Sequence, residues 1–120
     1  MQYLLMIYGD ENAAAGANKQ ATEQMHAAYG AYTEALKKAG IMLGGERLHP
    51  ASAATTVRNA NGKVKVLNGP YVESKEQLGG YCMIDVPDLD AAIAWAARCP
   101  AASNGTMEVR PVWQMAMADA

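Results

Sequence analysis

The spacing of apolar residues along the chain predicts alternating strands and helices. Residues 2–8 are apolar at nearly every position, which is typical of a strand that is covered on both faces. From 19 to 39, apolar residues recur every three or four positions, as on one face of a helix, and Gly40 is suited to end that helix. A second helix is predicted over 88–99, with an aspartate as its N-cap and Pro100 at its end.

Both predicted helices have an apolar face that we expect to pack on a sheet. In the first helix this face consists of Ala21, Met25, Ala28, Tyr29, Tyr32, Leu36 and Ala39. In the second helix it consists of Leu89, Ala92, Ile93 and Ala96. Residues 10–18, between the first strand and the first helix, are small and polar, which predicts a loop.

The remaining predicted strands fall into two groups. The segments that we expect to complete the main sheet are 42–48, 78–86 and 106–113. A separate hairpin is predicted from 55–59 and 63–67, because these segments flank Asn61-Gly62, a strong two-residue turn signal. The last strand is predicted to place Met107, Val109 and Trp113 on one face, and Glu108 and Arg110 on the other.

This order of elements predicts a single α+β domain over residues 1–120, with two helices on one face of an antiparallel sheet and an inserted β-hairpin. The uncovered face of such a sheet is also apolar, since Cys82 and Ile84 alternate with Tyr81 and Met83. Burying about 1,000 Å² of apolar surface gives a gross stabilisation of about 25 kcal/mol, which exceeds the cost of association. We therefore expect a homodimer whose second copy covers that face.

Composition narrows the classes of function. The chain is 51% hydrophobic and 18% charged, with a net charge of −2, which gives no electrostatic reason to expect direct nucleic-acid binding. Its apolar runs are too short for a membrane span, and its first residues do not resemble a signal peptide, so we expect a cytoplasmic protein. Cys82 and Cys99 lack a CxxC or metal-ligand spacing and are expected to be buried thiols.

Five stretches of the chain match a known family together: NGPYVESKEQLGG, YCMIDVPDLDAAIAWAARCP and GTMEVRPV, with GGERLHP and TTVRNANGKV upstream. They resemble the YCII-related proteins of the DGPF subgroup. Asn68, Gly69, Pro70 and Tyr71 stand where the subgroup has its Asp-Gly-Pro-Phe motif. The resemblance implies a ferredoxin-like subunit that pairs sheet to sheet as a dimeric α+β barrel. Because Asn68 replaces the acidic residue and Tyr71 the phenylalanine, a mechanism that needs a carboxylate at position 68 does not transfer to this chain.

Charged and aromatic residues of the turn and the strands are the candidates for a ligand site. They are Tyr8, Glu46, Arg58, Glu73, Lys75, Glu76, Glu108 and Arg110. A guanidinium of Arg58 or Arg110 can bind a carboxylate or phosphate in bidentate fashion, with Glu46 helping to orient the ligand and Glu73 or Glu76 exchanging a proton. Two alternatives remain open: the cluster at 73–76 as a solvated charged loop, and Glu108 with Arg110 as a structural ion pair.

The sequence identifies no catalytic residue. His26 is expected on a partly exposed helix face and His49 in a loop, and no nucleophile elbow, HExxH or P-loop is present. We expect neither a metal nor a cofactor. The function expected is binding of a small acidic organic ligand in a cleft of the homodimer, with enzymatic activity left open. The alternative is a regulatory or interaction protein of sigma-factor-dependent transcription, because some members of the resembled family are encoded near extracytoplasmic-type sigma factors.

Overall fold

The structure, a computed structural model, describes residues 1–115. Its strands are β1 (Gln2–Gly9), β2 (Met42–Arg47), β3 (Thr55–Ala60), β4 (Lys63–Asn68), β5 (Gln77–Asp85) and β6 (Thr106–Pro111). Its helices are α1 (Glu11–Ala15), α2 (Lys19–Lys38), α3 (Leu89–Arg98) and α4 (Ala101–Asn104). A single 3-10 turn at Ala51–Ala53 precedes β3.

The four main strands form one antiparallel sheet in the order β2-β5-β1-β6, and β3 pairs only with β4 in a separate hairpin. Two strand–helix–strand units that interleave in this order give a ferredoxin-like α+β fold with an inserted β-hairpin. The predicted fold class is therefore confirmed. The predicted N-cap of the second helix is also present, since the carboxylate of Asp88 accepts a hydrogen bond of 2.9 Å from the amide of Ala91.

Two short helices differ from the sequence prediction. The predicted loop 10–18 contains α1, which begins where the side chain of Asp10 accepts hydrogen bonds from the amides of Asn12 and Ala13. The second is α4, which follows Pro100 directly. Neither helix is long enough to show an apolar period, so the spacing of apolar residues could not predict them.

The core lies between the two long helices and one face of the sheet. The buried side chains of β1 and β5 are Tyr3, Leu5, Cys82 and Ile84, and those that the helices contribute to the same cluster are Tyr32, Leu36, Ala92 and Ala96. In addition, the hydroxyl of Tyr32 donates a hydrogen bond of 2.8 Å to the carbonyl of Trp95, which links α2 to α3. The polar end of this buried phenol is thus satisfied inside the core.

Part of the predicted packing is wrong. Leu89 and Ile93 are each 49% exposed, because α3 turns its small residues Ala92 and Ala96 toward the sheet. Three alanines of the predicted apolar face of the first helix are exposed, Ala21, Ala28 and Ala39, since α2 buries only its second half, around Tyr32 and Leu36. Trp113 does not extend the last strand, which ends at Pro111, and it is 92% exposed.

No helix within residues 1–115 packs on the opposite face of the sheet. Its apolar members include Leu4, Met6, Tyr8, Tyr81 and Met83, and none of these belongs to the core cluster or packs against it. We call these five residues the open sheet face. Cross-strand pairing places Leu4 beside Met83 and Met6 beside Tyr81, so the apolar side chains form one continuous patch.

The hairpin of β3 and β4 projects from the end of the sheet where β2 ends and β5 begins. Its turn has the left-handed backbone that the sequence predicts, with φ of 53° at Asn61 and 79° at Gly62. Register puts three valines on one face of the hairpin: Val57, Val64 and Val66, exposed by 60%, 64% and 60%. Arg58, Lys63 and Lys65 lie on the other face. The hairpin is therefore amphipathic, with its valines and its cations on opposite sides.

Adjacent glycines in β2 provide a test of the sheet register. A Cβ at Gly45 would lie 2.7 Å from the carbonyl oxygen of Tyr81 and 2.9 Å from the Cβ of Cys82, whereas a Cβ at Gly44 would meet nothing within 4 Å. We expect Gly45→Ala to lower the free energy of unfolding by about 1–3 kcal/mol, because backbone must shift. Gly44→Ala, the matched control, should change it by less than about 1 kcal/mol. Urea denaturation measures both, and equal effects would contradict this register.

The core predicts a decline of stability at high pH. Burial raises the pKa of the Cys82 thiol from 9.0 to about 11 and that of the Tyr29 hydroxyl from 10.0 to about 12. Because both groups lose protons more readily in the unfolded chain, the free energy of unfolding should be independent of them below pH 9 and fall as the pH rises toward 11 and 12. Urea denaturation across this pH range should show that the free energy of unfolding of Cys82→Ala falls less steeply with pH than that of the wild type. Ile84→Val, which changes core volume without removing a titrating group, should keep the wild-type slope, and an unchanged slope in Cys82→Ala would contradict the coupling.

Candidate functional site

A cavity of about 560 Å³ lies between the cationic face of the hairpin and the segment that follows it. Its lining combines charged, polar and apolar side chains: Thr56, Arg58, Leu67, Asn68, Tyr71 and Glu73, with Pro70 at its wall. We call it the hairpin pocket. Arg58 and Glu73, two of the residues predicted for the site, therefore meet in one cavity although they lie on different elements.

Two hydrogen bonds fold the segment after β4 back onto the hairpin. The amide of Gly69 donates to the carbonyl of Ala54 at 2.7 Å, and the hydroxyl of Thr56 donates to the carbonyl of Gly69 at 2.9 Å. Gly69 has a φ of 103°, which lies in the region that favours glycine. This local geometry turns the chain so that Tyr71 comes to lie over β3.

The ring of Tyr71 and the guanidinium of Arg58 form a cation–π contact, with 5.8 Å between the guanidinium carbon and the ring centroid. Such a contact at an exposed site is worth about 0.5–1 kcal/mol. It holds the long Arg58 side chain over the pocket, because the ring limits the conformations open to it. The donors of the guanidinium remain available to a ligand.

The hairpin pocket is lined by one cation, Arg58, and one anion, Glu73, which form no ion pair with each other within residues 1–115. Within residues 1–115, the ion pairs join the N-terminus to Asp85, Lys19 to Glu23, and Arg110 to Glu108. Neither Arg58 nor Glu73 takes part in one of these pairs. Both side chains are exposed, so a ligand reaches them without displacing a protein partner.

The other predicted residues lie outside the hairpin pocket. Glu108 and Arg110 of β6 form an ion pair, and the carboxylate of Glu76 accepts a hydrogen bond of 2.7 Å from the hydroxyl of Thr106. Lys75 is exposed on the loop and Tyr8 belongs to the open sheet face. The alternative of a structural pair for Glu108 and Arg110 thus agrees with their contact.

The pairing of residues across the strands gives the distance between the charged side chains of β2 and β6. Glu46 pairs with Tyr81, Tyr81 with Met6, and Met6 with Glu108, so these four side chains form one row across the sheet. With strands about 4.8 Å apart, Glu46 and Glu108 are separated by about 14 Å. Glu46 and Arg110 therefore share a face without converging on one site in a single copy.

The histidines differ in their surroundings. The Nη1 of Arg47 lies 3.1 Å from the Nε2 of His26. Because a guanidinium only donates, this nitrogen of His26 is the acceptor, which leaves the proton of the neutral ring on Nδ1. His49 is an exposed loop residue. Neither histidine lines the hairpin pocket.

A second cavity of about 390 Å³ lies along β6, beside α3 and α4, and its lining is largely apolar, including Ile93, Ala97, Met107 and Val109. None of the predicted charged residues lines it. Among the described residues, no three histidine, cysteine or carboxylate side chains are grouped to hold a metal ion. In that same part of the chain, no helix combines the length and apolar character that crossing a membrane requires.

Sequence reasoning missed five residues that line the hairpin pocket: Thr56, Leu67, Asn68, Pro70 and Tyr71. Asn68 and Tyr71 had been noted only as replacements in a motif. The signal that points to them is the Asn-Gly-Pro turn itself, because a turn directly after a hairpin strand returns the following aromatic residue to that hairpin.

The fold and the pocket together define a ferredoxin-like α+β protein with a cavity lined by charges of both signs on an appended hairpin. The YCII-related domain matches residues 1–116 of the chain. The uncharacterized protein R00369 of Rhizobium meliloti (strain 1021) is 35% identical over 114 residues, which cover 93% of this chain and 92% of that protein. The chain belongs to the YCII-related family.

The hydroxyl of Thr56 gives a test of how the pocket is held. Thr56→Val removes its hydrogen bond to Gly69, which is worth about 1 kcal/mol, so the amide of Gly69 should exchange about five-fold faster with solvent. Thr55→Val is the matched control, because Thr55 lies on the opposite face of the hairpin and its hydroxyl makes no hydrogen bond within residues 1–115. Hydrogen exchange measured by NMR compares the two. Equal protection of Gly69 in both variants would contradict this role.

Proposed function

We propose that this chain belongs to the DGPF subgroup of its family and is a cytoplasmic homodimer that binds a small organic acid in the hairpin pocket. The observation that supports the proposal most strongly is the meeting of Arg58, Tyr71 and Glu73 in one cavity. A guanidinium held over an aromatic ring matches the planar carboxylate of an organic acid, whereas a flexible ammonium would not.

Arg58 is a better anchor for the acid than Arg110. Arg110 already has an anionic partner, because its guanidinium is paired with Glu108. Arg58 has an aromatic partner, which leaves its donors unpaired by any carboxylate in residues 1–115. A ligand carboxylate therefore gains a new ion pair at Arg58, but must compete with Glu108 at Arg110.

The open sheet face supports the homodimer. Helices cover the other face of the same sheet, whereas no helix of the described part of the chain packs on the five apolar residues of the open sheet face. The molecule measures 47 × 47 × 18 Å, which is the shape of a thin plate rather than of a compact globule. Its radius of gyration is 16.6 Å, against about 13–14 Å for a compact domain of this length. Pairing two plates through their open sheet faces buries apolar surface on both.

The geometry favours binding over a particular reaction. Glu73 is the carboxylate best placed to exchange a proton with a bound ligand, because it lines the same cavity as Arg58. Enzymatic activity at this site would use Glu73 in that role and Arg58 to orient the substrate.

Binding of a simple acid tests the assignment of Arg58. We expect 3-phenylpropanoate to shift the backbone amide signals of the hairpin and of the segment after it in an NMR titration. Arg58→Gln should weaken that binding about ten-fold or more, because a hydrogen bond to a charged group is lost. Arg110→Gln removes the same charge outside the pocket and should bind the acid as the wild type does. An acid that binds both variants equally would contradict the site.

Sedimentation velocity tests the dimer. We expect the wild type to sediment as a dimer at micromolar concentration, and Met83→Glu to shift it to the monomer, because a charge would be buried at the contact. Leu89→Glu is the control: it also adds a carboxylate at a partly exposed apolar position, but outside the open sheet face. A wild type that sediments as a compact monomer would overturn the proposed dimer.

A further inference from the structure

The hairpin pocket contains an anion as well as a cation, and this affects which acid it can hold. Arg58 and Glu73 line the same cavity without an ion pair between them in residues 1–115. A ligand with only a carboxylate gains Arg58 but places its own negative charge near that of Glu73. A ligand that also has an ammonium group turns this repulsion into a second attraction.

The remaining lining offers an apolar surface. Leu67 is 58% exposed and Tyr71 is 73% exposed, so both present apolar area that a ligand could cover. Together with Pro70, they form the uncharged wall of the pocket. Covering such area is favourable by about 25 cal/mol per Å², and an aromatic group can also stack on the ring of Tyr71.

We infer that the ligand class is a zwitterion, an amino acid with an apolar or aromatic side chain. Its carboxylate is bound by Arg58, its ammonium by Glu73, and its side chain lies against Leu67 and Tyr71. The amide of Asn68, which also lines the cavity, can donate to the carboxylate or accept from the ammonium. This inference rests on the proposed function, because it narrows the ligand of the same pocket.

Three probes that share one phenyl ring test the inference. They are L-phenylalanine, 3-phenylpropanoate, which lacks the amine, and 2-phenylethylamine, which lacks the carboxylate. NMR titrations of the uniformly labelled full chain give a dissociation constant for each. We expect L-phenylalanine to bind about five-fold tighter than either single-charge probe, which is the range of an exposed ion pair. The shifted amides should be those of the hairpin and of residues 69–73.

The variants then assign each charge. Glu73→Gln should remove the preference for L-phenylalanine over 3-phenylpropanoate, while 3-phenylpropanoate binds at least as well as before. Arg58→Gln should weaken L-phenylalanine and 3-phenylpropanoate together, and leave 2-phenylethylamine unaffected. Glu34→Gln is the matched control for lost negative charge, because Glu34 is an exposed residue of α2 outside the pocket. All three substitutions are at exposed positions, and far-UV circular dichroism checks that each variant is folded.

The outcomes separate this inference from the proposed function. Tighter binding of L-phenylalanine that Glu73→Gln abolishes and Glu34→Gln preserves supports the zwitterion. If 3-phenylpropanoate binds as tightly as L-phenylalanine, the inference is overturned while the acid-binding function stands. If 2-phenylethylamine equals L-phenylalanine, Arg58 does not anchor the ligand, and both fail. If no probe shifts the pocket amides, the proposed function fails and takes this inference with it.

Discussion

The structure depends on a sheet that is apolar on both faces but covered by helices on only one. Alternate residues of β1 show this directly: Tyr3 and Leu5 are buried under α2 and α3, while Leu4 and Met6 point away from them. A shift of one residue in register would exchange one apolar set for the other with little change in hydrophobic burial. The register must therefore be fixed by other means. Close backbone approach at Gly45 is one of them, because that strand position excludes even a methyl group.

The charged side chains of residues 1–115 lie outside the buried core of the sheet and helices, at the periphery of the molecule. The core of the described residues contains no buried charged group, which is the arrangement expected where desolvating a charge would cost more than it returns. The cations of the hairpin and the carboxylate of Glu73 lie instead on a projection that the core does not need for its own packing. A binding pocket placed there can vary in chemistry while the sheet and its helices stay the same.

The sequence predicted the elements in which apolar residues recur at regular spacing, and it missed the features that depend on contacts between distant parts of the chain. The long helices and the hairpin follow from apolar spacing and from Asn61-Gly62, and both are present. The exposure of Ile93 could not be predicted, because its helix has two apolar strips and only tertiary packing selects the strip of small residues. The spacing of apolar residues also could not predict that Arg58 and Glu73 line one cavity. Their meeting requires the chain to fold back at Gly69, through a hydrogen bond from a threonine 13 residues earlier. Period-2 alternation placed Glu108 and Arg110 on one face of the last strand, but it gives no information on how many strands separate them from Glu46.

The amphipathic hairpin has one face whose apolar side chains gain from being covered and another face that carries the hairpin pocket. An isolated pair of strands is marginally stable in water, and the exposed valines of β3 and β4 give this pair a surface that gains from being covered. Because Val57 and Val66 lie on the face opposite Arg58, a protein layer over the valines leaves the guanidinium and the hairpin pocket open. Covering the valines would therefore leave the proposed ligand site accessible, because the valines and the cations lie on opposite faces of the hairpin.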